Sequence, residues 1–143
     1  VYKRQPEQDA QVLILDTLGE LATAYRFATV VFVGGTLIRH GGQSIMEPAL
    51  YAKPIVIGPS MENFPGIIDE FRLRHGAKQI RAGEDDKRAQ VQQLAEAFVH
   101  LLQDPAACEV LGKAAYSVFA GNRGAAKRTV EKIVAIYQES AAR

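Results

Sequence analysis

The stretch from Val30 to Phe64, VVFVGGTLIRHGGQSIMEPALYAKPIVIGPSMENF, constrains the fold more than any other part of the chain. An apolar, β-branched run leads into a loop with two glycine pairs. A short helix follows, opened by Ser44, then a second apolar run and a second loop. Strand, glycine loop and helix start in that order build the ligand edge of a parallel α/β sheet. Glycine lets backbone approach a ligand closely, and the first N–H groups of a helix point toward it.

The same alternation extends in both directions. Short apolar runs predict strands at Val12–Leu15, Thr29–Val33, Ile55–Ile57 and Lys78–Ile80. Helical spacing predicts helices over Leu18–Arg26, Ser44–Tyr51 and Phe64–Arg74, the last stopped by Gly76. From Asp86 onward the pattern is helical. The first of these helices carries Val91, Leu94, Ala95, Phe98 and Leu101 on one face, and the second opens at Asp104-Pro105. Asn122 is read as the cap of a third, with Val130, Ile133, Val134 and Tyr137 as its stripe. The expected architecture is α/β, a Rossmann-like open and mainly parallel sheet with a helical C-terminal part.

At 143 residues this is the size of one domain, with a hydrophobic content of 48% that suits a globular core. A net charge of +1 gives no broad pull toward nucleic acid. Cys108 is alone and forms no internal disulfide, and no apolar run reaches the roughly 20 residues of a membrane helix. The polar start VYKRQPEQDA does not begin with Met and runs straight into a strand. The chain is therefore read as one domain, residues 1–143, cut from a larger protein and lacking part of its sheet. Such a fragment is expected to self-associate.

Two helix starts follow strands directly, Thr17-Leu18-Gly19-Glu20 and Ser44-Ile45-Met46-Glu47, and both are S/T-x-x-E capping boxes. In a parallel sheet both lie at the carboxyl ends of the strands. Glu20 and Glu47 serve either as caps alone or as acceptors for ligand hydroxyls. Pro48 has no N–H to return to the Ser44 carbonyl, which loosens the second start. Gly34-Gly35 reads as a tight turn or a ligand loop. Gly41-Gly42, just ahead of a helix start, is suited to expose successive N–H groups as an anion nest. Thr36, Gln43 and Asn63 add polar side chains to these loops. His40 among the glycines is read as a surface residue rather than a base. No metal-ligand spacing, nucleophile elbow or phosphate-loop lysine occurs, and no cofactor is called for.

The segments DTLGELATAYRFATVVFVGG, GGQSIMEPA, AKPIVIGPSMENF and GNRGAAKRT, in this order, resemble the bacterial 3-deoxy-D-manno-octulosonic acid (Kdo) transferases from Asp16 to about Thr129. The resemblance implies a GT-B glycosyltransferase with two Rossmann-like domains and a cleft between them. This chain would be the C-terminal, donor-binding half. The donor would be CMP-Kdo and the acceptor a lipid A precursor of lipopolysaccharide assembly, at the cytoplasmic face of the inner membrane. Membrane association, acceptor binding and the catalytic carboxylate would reside in the other half, so this piece alone would be inactive. The family's M-G-E turn for CMP corresponds to Leu18, Gly19 and Glu20, and its N-P-L-E turn to Ser44, Ile45, Met46 and Glu47. The loops with Gly34, Gly35, Thr36, Gly41, Gly42, Gln43 and Asn63 would border the donor. Where the family commonly has GGHNPLEP, this chain has GGQSIMEP, losing an imidazole and keeping the Gly-Gly and Glu-Pro pairs.

Two other readings compete. A GT-B transferase using a UDP-sugar would carry similar glycine loops and a helix-borne acid. A non-enzymatic, flavodoxin-like binding domain would want an acidic cluster at the strand ends, for which only Asp16 is a candidate.

Overall fold

The computed structural model describes residues 11–141; the polar start, residues 1–10, lies outside them. Three parallel strands form the sheet, β1 (Val31–Phe32), β2 (Ile55–Ile57) and β3 (Lys78–Gln79), in the order β1-β2-β3. Val31 and Phe32 pair with Ile55 and Val56, and Val56 and Ile57 with Lys78 and Gln79. The helices are α1 (Leu21–Ala24), running into a 3-10 turn at Tyr25–Phe27, α2 (Met46–Leu50), α3 (Pro65–Leu73), α4 (Lys87–Gln103), α5 (Pro105–Asn122) and α6 (Ala125–Ala141). The expected open parallel sheet and helical C-terminal part are both present.

The central strand explains how the layers hold. Ile55, Val56 and Ile57 are all fully buried. Side chains alternate across a strand, so Ile55 and Ile57 enter one cluster with Val31, Ile45, Phe71, Ala115 and Val118. Val56 enters the other, with Ile80, Ala97 and Leu101. An unbroken apolar triplet is what a strand covered on both faces requires. Asp104 opens α5 as expected, accepting from the Ala107 N–H at 2.9 Å, and Asp86 caps α4 in the same way, accepting from the Ala89 N–H at 2.9 Å.

Several expectations are corrected. Val12–Leu15 forms no strand; Val12, Leu13 and Ile14 are 80%, 70% and 81% exposed. A four-residue strand is stabilised only by a paired neighbour and a covered face, and among the described residues this segment has neither. The first helix begins at Leu21 rather than Leu18, because Gly19 holds φ +84°, outside helical space. On α4 the buried face is Gln90, Ala97 and Leu101, while Val91 is 69% exposed. Gln90 is buried because its side chain donates to the Leu37 carbonyl at 2.8 Å.

Asn122 does not open α6. It ends α5, where its amide donates to Glu70 at 2.8 Å and to the Val118 carbonyl at 3.0 Å, tying α5 to α3. Gly76 is not the left-handed stop of α3; His75 is, at φ +54°. The glycine is needed for space, since a Cβ there would lie 3.2 Å from the Ala115 Cα. Gly112 serves α5 in the same way, with a Cβ position 2.0 Å from the Ala52 carbonyl oxygen.

Candidate functional site at the carboxyl ends of the strands

The loops after β1 and β2 are sewn together. Gly35, Gly41 and Gly42 hold φ of +72°, +81° and +72°. The Gly42 N–H donates to the Gly35 carbonyl at 3.2 Å, and the Gly41 N–H to Ser60 Oγ at 3.1 Å. Asn63 answers with its N–H to the Gly41 carbonyl at 3.3 Å and its side-chain amide to the His40 carbonyl at 3.1 Å. Packing here excludes a side chain: a Cβ on Gly41 would fall 2.3 Å from the Asn63 amide carbon, and one on Gly42 2.6 Å from the Met61 sulfur.

Thr36 is the internal anchor of these loops. It is fully buried, and its hydroxyl donates to the Val33 carbonyl at 2.7 Å and accepts from the Gly58 N–H at 2.8 Å. The Ser60 hydroxyl also donates to Glu62. That bond, joined by the residue's own backbone N–H, holds the Glu62 carboxyl below its usual range.

The anion nest expected at Gly41-Gly42 is not formed, because both N–H groups are turned inward and used to close the loop. Among the described residues, the amides that follow, those of Gln43 and Ser44, have no protein acceptor. They stand just ahead of Ile45 and α2, on an exposed and a half-buried residue.

The capping box at Ser44 does not close in the expected form. Ser44 Oγ accepts from the Met46 N–H at 3.4 Å, two residues on rather than three, and Ile45 is the residue that precedes α2. Glu47 lies in the first turn of α2 with its side chain exposed. At the other start the Thr17 hydroxyl donates to the Glu20 carboxylate, and Glu20 itself precedes α1. Leu18 is fully exposed, and open space surrounds the Cβ position of Gly19.

Tyr25, in the turn after α1, reads in the sequence only as one more apolar helical position, yet it lies within electrostatic reach of Glu47. It packs with Met46 against the core cluster. Burial, and then the Glu47 carboxylate, push its phenol above the ordinary value. Ser60 and Gln90 also escaped the sequence reading, because their partners lie 19 and 53 residues away.

A cleft of about 230 Å³ lies where these loops meet Glu84 and Asp85, bordered by Arg39, Ser60 and Glu62. Neither it nor the clefts against α3, β3 and α4 reach Leu18–Glu20 or Ser44–Glu47. Leu18 and Gly19 are exposed, whereas in the second turn Glu47 is exposed, Ser44 and Met46 are half-buried and Ile45 is buried in the core.

A parallel α/β sheet with glycine loops and short helix starts at its carboxyl edge defines a ligand-binding domain of the Rossmann-like class. No family model matches the chain. It is 32% identical over 126 residues to the 3-deoxy-D-manno-octulosonic acid transferase of Haemophilus influenzae, covering 88% of this chain and 28% of that protein. The transferase of the same name from Bordetella pertussis is 30% identical over 129 residues, covering 90% of this chain and 28% of the relative. The crystal structure of the C-terminal CMP-Kdo binding domain of WaaA from Acinetobacter baumannii matches with a TM-score of 0.61 and 32% identity, over 73% of this chain and 50% of that one. Over most of its length the chain is similar to Kdo transferases in sequence and to a domain of one in fold, the resemblance its motifs led us to expect. It spans 28% of the length of these two curated relatives.

Proposed function

We propose that this chain is the donor-binding half of a glycosyltransferase that moves Kdo from CMP-Kdo to a lipid A precursor. The observation that carries the reading is the likeness, in both fold and sequence, to a domain described as CMP-Kdo binding. It is supported by the loop geometry, which presents the Gln43 and Ser44 amides just ahead of Glu47.

In this reading the Gln43 and Ser44 amides and the start of α2 meet the CMP phosphate, whose negative charge must be stabilised as it leaves the sugar. Glu47 and Glu20 are acceptors and suit ribose hydroxyls or the cytosine amino group, which donate. Thr36, Ser60 and Asn63 hold the loops rather than the ligand. Leu18, Gly19, Ile45 and Met46 border the donor through their backbone. The exposed Leu18, Gly19 and Glu47 fit one wall of a cleft whose other wall is a second domain, the part of the protein that would contribute the catalytic carboxylate, the acceptor surface and the attachment to the cytoplasmic face of the inner membrane. No described helix is long and apolar enough to cross a membrane.

The test is a titration of the full-length protein with CMP and with UMP, beside a transfer assay from CMP-Kdo. CMP bound well ahead of UMP, with transfer, is the expected result. Preference for UMP turns the reading to a UDP-sugar transferase, and binding of neither nucleotide removes it.

A further inference from the structure

A second cleft, of about 460 Å³, lies on the edge of the sheet away from β1 and is lined by Arg72, His75, Ala77, Gln79 and Arg81. Its wall is set by strand alternation. Ala77, Gln79 and Arg81 share one side of the β3 segment, while Ile80 turns the other way into the cluster with Ala97 and Leu101. The last turn of α3 supplies Arg72, and His75 follows just beyond the helix end.

We propose that this cleft binds a phosphate-bearing anion, gripped by Arg81, His75 and Arg72. Three features support the assignment. No acid lines the cleft. Arg72 is oriented by Gln79, which accepts from its Nε at 3.0 Å and is itself fixed by donating to the carbonyls of Gly58 at 3.0 Å and Pro59 at 3.3 Å. Among the described residues, the Arg81 guanidinium and the His75 ring have no protein partner.

The competing account is that these cations only complement the carboxyl end of α3 and deter pairing on an edge strand. That account needs charge but not convergence on a cleft. It also does not call for His75 at φ +54°, where glycine would be less strained. Asp69, at 3.1 Å from Arg72, is an exposed partner that a bound phosphate would outcompete. A guanidinium pair and an imidazole in one concavity match the several oxygens of a phosphate.

The same chemistry is offered by a free phosphate compound and by a lipid headgroup, and two probes separate them. The full-length protein, saturated with CMP so that any nucleotide site is filled, is titrated with inorganic pyrophosphate. It is also floated with vesicles of phosphatidylcholine, with and without phosphatidic acid. Arg81→Gln and His75→Asn are the variants; Asn tolerates the left-handed backbone at that position. The expected result is binding that falls tenfold or more in both variants while the thermal melt stays in place. Such a loss with pyrophosphate identifies a free anion, and a loss confined to the phosphatidic acid vesicles identifies a headgroup. If neither probe binds, or if the variants bind as well as the parent protein, the cleft is not an anion site.

Discussion

The hydroxyl of Thr36 bridges the ends of two strands, donating to the Val33 carbonyl at 2.7 Å while accepting from the Gly58 N–H at 2.8 Å. Both backbone groups lie in buried residues, so each would be left without a partner if the hydroxyl were lost.

Thr36→Val keeps the shape and removes both bonds. It should cost about 2–4 kcal/mol of stability, the scale of two buried groups left unsatisfied. Thr36→Ser keeps the hydroxyl and removes one methyl, and should cost about 1 kcal/mol. Denaturant unfolding of the two variants checks this. Equal losses in both would show that Thr36 acts through its methyl and not through the strand-end bonds.

Glu62 supplies a pH prediction. The Ser60 hydroxyl holds its carboxyl below the usual range, so the folded state favours the ionised form. A depressed folded value means that the contribution is present above the unfolded value and is lost as pH falls through the folded one. Loop stability around Gly41 should therefore fall only at acid pH, below the ordinary glutamate range. Ser60→Ala should return Glu62 toward its ordinary value, which carboxyl NMR titration would read directly. An unmoved titration in the variant would exclude Ser60 as the cause.

The legible part of the fold was the part written in local pattern. The β2 triplet, the Asp104-Pro105 opening of α5 and the glycine loop are contiguous signals, and each produced the expected element. What failed depended on distant partners. Val12–Leu15 has the composition of a strand, yet no neighbour pairs with it in the described structure. Gly76 looks like a helix stop but answers to Ala115 on α5. Gln90 displaced Val91 from the buried face because Leu37 offered a carbonyl. At the candidate site, the positions of the glycines were readable, but the direction of their N–H groups was not, since that is set by Ser60 across the loop.

The exposed apolar surfaces carry a prediction of their own. Val130, Ile133, Val134 and Tyr137 form a stripe on α6, and all are largely exposed, as are Val12, Leu13 and Ile14. The 143-residue chain by itself should associate as its concentration rises, and sedimentation velocity should show the shift. Ile133→Lys places a charge in the middle of the stripe and should move the population toward smaller species. A monomer unaffected by concentration would show that these faces are covered within the chain.

Glu47 decides whether the α2 start binds a ligand. Its carboxylate is exposed, and the nearest capping bond, from Met46 to Ser44, does not use it. Glu47→Gln should therefore leave the thermal melt of the full-length protein nearly unchanged. If the carboxylate accepts from ribose hydroxyls, losing charge-assisted bonds should weaken CMP binding by about 1.5–3 kcal/mol, roughly ten- to hundredfold in dissociation constant. A second readout comes from Tyr25, whose phenol is raised by burial and then by the Glu47 charge. Neutralising that charge should lower the Tyr25 titration toward its ordinary value, visible in the phenolate absorbance at alkaline pH. A lowered Tyr25 titration with unchanged CMP affinity would confirm the contact inside the protein and take Glu47 out of the binding site. Both changes together would make Glu47 the residue that joins the packed side of α2 to its ligand face.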